Sequence, residues 1–142
     1  MKKTTDELFL NLKSNHNLEQ YFTANEEELI QSDLGMYLYL LLEEKNISAT
    51  QAARRSFLSK SQIYNILNNQ TQPSRAFILR LAFGVRATLE QAQQLLRLSE
   101  QQLLYPRVKR DAVLIFALEN RLSLEYAHEA LLKRGMEGLI KE

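Results

Sequence analysis

Four times along this chain a Ser or Thr stands three residues ahead of a Glu or Gln, at the start of a stretch with helical apolar spacing. The pairs are Thr4 with Glu7, Ser48 with Gln51, Ser59 with Gln62 and Thr88 with Gln91. In such a capping box the hydroxyl accepts from a first-turn N–H, and the longer side chain reaches back to the N–H of the hydroxyl residue. Each pair therefore predicts a defined helix start. The 142 residues hold only four Gly and two Pro, which leaves little punctuation for strands and tight turns. Leu, Gln, Glu, Lys, Arg and Ala dominate, all good helix formers. The expected fold is all-α, a compact multi-helix domain.

Caps and breakers divide the chain. Thr4 opens a short helix with Leu8, Phe9 and Leu12 on its apolar face; Asn17 is suited to cap a second, with Leu18, Tyr21 and Phe22 inward; residues 26–30 suggest a third. Residues 34–45 predict a longer helix that is apolar nearly all round. Leu34, Leu38, Leu41 and Leu42 form one stripe, and Met36, Tyr39 and Leu40 form another that needs its own partner. Asn46 is suited to a left-handed C-cap. Ser48 opens a helix through Ser56, Ser59 one through Asn69, and Pro73-Ser74 one that Gly84 ends. Thr88 opens the next, with Ala92, Leu95, Leu96 and Leu98 apolar. Residues 103–106 read as a linker, 108–119 as a helix, and Ser123 caps a last helix ending at Gly135. Three segments follow: an N-terminal helical arm packed on the core (1–33), a central region (34–87) and a C-terminal extension (88–142).

The helix after Ser59 has an unusual outer face. Ile63, Ile66 and Leu67 share one side, while Ser61, Tyr64, Asn65 and Asn68 share the other. That outer side is rich in hydroxyls and amides and nearly uncharged, whereas solvated faces elsewhere in the chain carry Lys and Glu. Groups that both donate and accept hydrogen bonds suit base edges in a DNA groove. Ala52 and Ala53 on the preceding helix permit close helix approach, as a helix-turn-helix unit requires.

With these residues in place, the region 34–85 resembles the DNA-binding domain of the lambda-repressor/Cro (Xre-like) helix-turn-helix family. The resemblance rests on Ala52-Ala53, Phe57-Leu58-Ser59, Ile63, Leu67-Asn68-Asn69-Gln70, Pro73-Ser74, Ile78-Leu79, Leu81-Ala82 and Val85. It covers about a third of the chain strongly. Three positions depart from the pattern: Phe57 stands for a turn Gly, Leu67 for a Glu, and Ala49 for a Gln that approaches a phosphate. If the backbone at Phe57 is left-handed, either its packing offsets the strain or the turn differs; the ring is expected to be mostly buried against the second helix or the N-terminal segment. The resemblance implies that helix 59–69 enters the major groove, with Ser61, Tyr64, Asn65 and Asn68 reading bases. Arg54, Arg55, Lys60 and Arg75 are the candidate phosphate contacts. The loop Asn69-Gln70-Thr71 would offer backbone N–H groups to a phosphate, as the family's loop does.

Charge supports this modestly. Residues 32–87 hold seven basic and three acidic residues, against three and six in 1–31 and eight of each in 88–142. The excess thus has the sign of a phosphate-facing surface. The absence of Cys excludes disulfides and thiol chemistry. The longest apolar runs, 36–42 and 112–118, are too short to span a bilayer, and the N-terminus has no apolar signal core, so a soluble cytoplasmic protein is expected. No Gly-rich phosphate loop, nucleophile–base pair or paired acid motif suggests an enzyme. His16 and His128 lack metal-ligand spacing, and no cofactor is expected. Lys109-Arg110-Asp111 reads as a solvated helix start. The resulting expectation is a sequence-specific regulator of transcription that binds double-stranded DNA as a homodimer. The alternative is a non-enzymatic adaptor that uses the fold, or residues 88–142, for a protein partner.

Overall fold

Wherever a helix of residues 33–140 ends, the chain must reverse with almost no glycine to help it. In the computed structural model, which describes residues 4–14, 17, 18, 20 and 33–140, the described residues form helices and no strand. The helices are α1 (Thr5–Ser14), α2 (Leu34–Lys45), α3 (Ala49–Ser56), α4 (Lys60–Leu67), α5 (Arg75–Gly84), α6 (Leu89–Leu98), α7 (Lys109–Glu119) and α8 (Leu124–Lys133). The chain divides into two compact units, Met1–Ser32 and Asp33–Glu142.

In the first unit, Thr4 Oγ1 accepts from the Glu7 N–H at 3.1 Å and opens α1. The helix buries no residue, and Phe9 and Leu10 are exposed. Asn17 Oδ1 accepts from the Gln20 N–H at 3.4 Å, the contact expected of a cap. The rest of that second helix, and the third expected over 26–30, lie outside the described residues.

The second unit is built on one repeated turn. Asn46-Ile47-Ser48, Phe57-Leu58-Ser59, Arg86-Ala87-Thr88 and Arg121-Leu122-Ser123 each join two helices. The first residue is left-handed, with φ of 54°, 57°, 54° and 55° in turn. Its N–H and the next are taken up by carbonyls of the helix just ended, in the paired bonds of a Schellman motif. After Phe57, for example, the Leu58 N–H donates to Ala53 O at 2.9 Å and the Phe57 N–H to Arg54 O at 3.3 Å. The second residue packs on the core. The third caps the next helix, and at Ser48, Ser59 and Thr88 the reciprocal Gln contact completes the capping box. Three residues therefore satisfy the backbone groups at both helix ends.

Short turns bring neighbouring helices together. The intimate crossing is α3 on α5, where Ala52 and Ser56 meet Gly84. A Cβ on Gly84 would stand 2.7 Å from Ser56 Cβ and 2.8 Å from Ala52 O. Gly84 ends α5, as expected, and the left-handed residue beyond it is Arg86. Gly84 is also needed for close approach. Ser56 is fully buried, and its hydroxyl donates to Ala52 O at 2.6 Å, so it imposes no unmet polar group.

The C-terminal helices pack on this body. α6 lies against α5 and α2, α7 against α6, and α8 against α7 and α5. Leu38, Ile63, Ile78, Leu81, Leu95, Leu96, Leu114 and Leu131 share one core with Leu34, Leu41 and Leu42. Each fully buried Leu or Ile contributes about 1.5–3 kcal/mol, so the helices of 88–140 are integral to it. The second stripe of α2 is different: Met36, Tyr39 and Leu40 are all exposed.

Phe57 corrects another expectation. Its backbone is left-handed (φ 57°, ψ 39°), but its ring is 47% exposed and not buried. The turn is held through its carbonyls instead. Arg80 Nε donates to Ser56 O at 3.1 Å, and the same guanidinium donates to Phe57 O. A left-handed non-glycine costs about 1–2 kcal/mol, while glycine adds about 0.5–1 kcal/mol of unfolded-state entropy. Phe57→Gly is therefore predicted to be about 1 kcal/mol more stable than Phe57→Ala in urea unfolding. Phe57→Ala should lose less than the roughly 3–5 kcal/mol of a buried ring. A loss in that range for Phe57→Ala, unrelieved by Gly, would contradict the exposed placement.

Candidate nucleic-acid interface

α4 owes its orientation to what it turns inward. Ile63 and Ile66 are buried, and Leu67 packs partly buried against the same core. A Glu at 67 would bring a charge to that contact, so Leu67 belongs to the packing. On the opposite side Ser61, Tyr64, Asn65 and Asn68 are all exposed. Their side chains make no hydrogen bond to any described residue, so their donors and acceptors are available to a partner. Ser59 accepts from the Gln62 N–H at 3.1 Å, and Gln62 Oε1 accepts from the Ser59 N–H at 2.8 Å. The helix runs from Lys60 to Leu67, two residues shorter at its end than the expected 59–69.

The end of α4 is stapled to the start of α2. Gly35 passes so close that an added Cβ would lie 2.3 Å from Leu67 O. Asn69, left-handed at φ 55°, accepts from the Gly35 N–H at 3.0 Å and donates to Asp33 Oδ1 at 2.7 Å. The same Asp33 oxygen accepts from the Met36 N–H at 3.0 Å and caps α2. A face held at both ends by backbone contacts presents its side chains in fixed register.

This staple changes the reading of the loop. The Asn69 N–H donates to Ile66 O at 3.0 Å and the Gln70 N–H to Asn65 O at 2.8 Å. Those two amides are thus committed within the helix end and are not free for a phosphate. The exposed side chains of Gln70 and Thr71 remain accessible, as does Lys60 at the first position of α4.

The expected basic contacts separate. Arg75 is held away from a phosphate role: its guanidinium donates to both oxygens of Asp111, at 3.2 and 3.0 Å, and to the carbonyls of Gln102 and Leu103 at 2.8 and 3.1 Å. Asp111 is buried, corrects the expectation of a solvated helix start, and also accepts from the Tyr105 N–H at 3.0 Å. The pair fastens α5 to the 102–111 segment. Arg54 and Arg55 line a cavity with Arg86 and Arg121, whereas none of Ser61, Tyr64, Asn65 and Asn68 does.

The remaining candidates are structural. His128 Nδ1 accepts from the Ile140 N–H at 3.1 Å, and Gly138 packs against its ring. His16 lies outside the described residues. Among the described residues no group of three or more His, Asp or Glu is placed to hold a metal ion. No helix there is long and apolar enough to cross a membrane.

Asp33 gives the staple a pH signature. The Met36 N–H bond first, and then the Asn69 amide, hold its carboxyl below the ordinary carboxylate value. A lowered folded value means that its stabilisation is complete above the unfolded value, about 3.9, and is lost as pH falls through the folded value. Asp33→Asn keeps a competent cap but removes that titration. Urea unfolding from pH 6 to pH 2 should show a shallower acid decline for Asp33→Asn than for the parent. Parallel declines would mean that Asp33 does not hold the staple through its charge.

Comparison with known proteins agrees with the geometry. A family model described as Helix-turn-helix matches residues 38–82, from within α2 to within α5. No curated protein and no solved structure matches the chain.

Proposed function

We propose, for a chain whose residues 38–82 are a helix-turn-helix of the lambda-repressor/Cro (Xre-like) kind, that it binds specific sites on double-stranded DNA and regulates transcription there. The observation that carries this reading is the outward face of α4, four exposed polar side chains with no partner of their own. Placed in the major groove, Asn65 and Asn68 pair with adenine edges, while Ser61 and Tyr64 supply single hydrogen bonds. Lys60 and the side chains of Gln70 and Thr71 hold the phosphates that flank the groove. Arg75 leaves the phosphate set, because its donors are engaged by Asp111 and two carbonyls.

The proposed assembly is a homodimer on a near-palindromic site, with half-sites one helical turn apart. Exposed Met36, Tyr39 and Leu40 supply apolar surface of the kind such contacts use. An adaptor reading has less support at α4, because Tyr64 is the single large apolar group on its outward face.

Selection of bound sequences from random duplex DNA with the purified chain tests the reading. Enrichment of one motif is expected, and recovery of unenriched sequence would refute site-specific binding. On the selected duplex, Asn65→Ala should lose about 1–3 kcal/mol of discrimination while binding to unrelated duplex stays nearly the same. An unchanged ratio of specific to non-specific affinity would remove Asn65 from the reading set.

A further inference from the structure

A cavity of about 780 Å³ opens between α3, the α5–α6 turn and the α7–α8 turn. Its volume is that of a small-molecule site. Lys45, Arg54, Arg55, Arg86 and Arg121 line it, against two acids, Glu119 and Glu125. A smaller adjoining cavity shares Lys45, Arg55, Arg86 and Arg121, so these four stand between the two. The apolar part of the main wall comes from Phe57, Phe83, Leu118, Leu122 and Leu124.

Within the described residues, little offsets the charge of these cations. The one ion pair among the described residues, Arg75 with Asp111, is elsewhere. Lys45 Nζ donates to Arg86 O at 2.9 Å, but none of the four Arg side chains donates a hydrogen bond to a described residue. Among the described residues, an Arg55 terminal nitrogen is the buried polar side-chain atom left without an acceptor. Buried donors ordinarily have partners, and one left alone calls for an explanation. Arg54, Arg86 and Arg121 are exposed and Arg55 is partly buried, and like charges gathered around one cavity repel each other unless an anion joins them.

Phe57, Arg86 and Arg121, the left-handed residues of three helix-ending turns, all line this cavity. The turns at Arg86 and Arg121 lead directly into the capped N-termini of α6 and α8, whose Thr88 and Ser123 also face the cavity. Helix N-termini favour negative charge.

We propose that this cavity binds a small organic anion, with an apolar or aromatic body against Phe57, Phe83 and Leu122. Its phosphate, sulfonate or carboxylate head lies on Arg55, Arg86 and Arg121. Arg55 supplies charge from α3, and Arg86 and Arg121 supply it from the turns. The C-terminal helices thereby gain a role beyond packing, since α7 and α8 close the cavity.

The probe is 8-anilinonaphthalene-1-sulfonate, an aromatic body with one sulfonate, titrated into the full chain and followed by fluorescence. A saturable site of one per chain is expected, with displacement by inorganic pyrophosphate. Arg86→Gln with Arg121→Gln should weaken the probe at least tenfold. The control, Arg107→Gln with Lys109→Gln, removes the same charge from exposed positions outside the cavity wall and should change affinity less than twofold. Circular dichroism and thermal midpoints check that both variants fold, and pyrophosphate competition on the unaltered chain gives a readout that needs no variant. Equal weakening in both variants, absence of a saturable site, or failure of pyrophosphate to compete overturns the proposal. So does loss of affinity for a DNA duplex in the Arg86/Arg121 variant with unchanged probe binding, which would assign these cations to the DNA backbone.

Discussion

The left-handed step at the end of each helix is the constraint on which the second unit depends. It leaves two N–H groups bonded to the helix just completed and aims the next residue at the core. The residue after that is then placed to cap a new helix. Applied at Asn46, Phe57, Arg86 and Arg121, the step makes four of the six connections among seven helices, each of three or four residues. Only Gly135 makes it with the residue that adopts it freely; Asn46 and Asn69 tolerate it, and Phe57, Arg86, Glu100 and Arg121 carry its cost. The helix-turn-helix turn is thus one instance of a rule that runs through the whole unit.

That rule sets where α4 begins, and a different contact sets where it points. Its last carbonyls lie against Gly35, and Asn69 ties its end to Asp33 and to the Gly35 amide. With Ile63 and Ile66 buried, little rotation is left to the helix. The amides and hydroxyls that face outward are therefore positioned before any partner arrives. Pre-ordered groups of this kind lose less entropy on binding than mobile ones.

The helix starts were legible because they depend on residues three apart, as at Ser48 with Gln51 and Thr88 with Gln91. The outward face of α4 was legible for the same reason, since periodicity alone separates Ile63 from Asn65. Most of the misreadings concern contacts between distant residues. Arg75 meets Asp111 across 36 positions, and nothing local distinguishes a clamped Arg from a phosphate-binding one. The close approach of Gly84 to Ala52 and Ser56, on another helix, likewise leaves no local mark. Phe57 looked like a core residue because of its side chain, while Arg80, 23 positions away, holds its carbonyl. The turn pattern itself, a left-handed residue followed by an apolar one and then Ser or Thr, was a signal available at Arg86 and Arg121. It pairs those arginines with Phe57 from the sequence alone.

The central claim is that the outward face of α4 meets DNA as a preformed surface. Side-chain amide NMR of Asn65 and Asn68, recorded during titration with the selected duplex, tests it most directly. The account predicts large shifts at both side-chain amides, with Ile63 and Ile66 nearly unmoved and the Asn69 amide still protected by Asp33. Shifts confined to residues 88–140, with Asn65 and Asn68 unchanged, would contradict it and place the partner on the C-terminal helices.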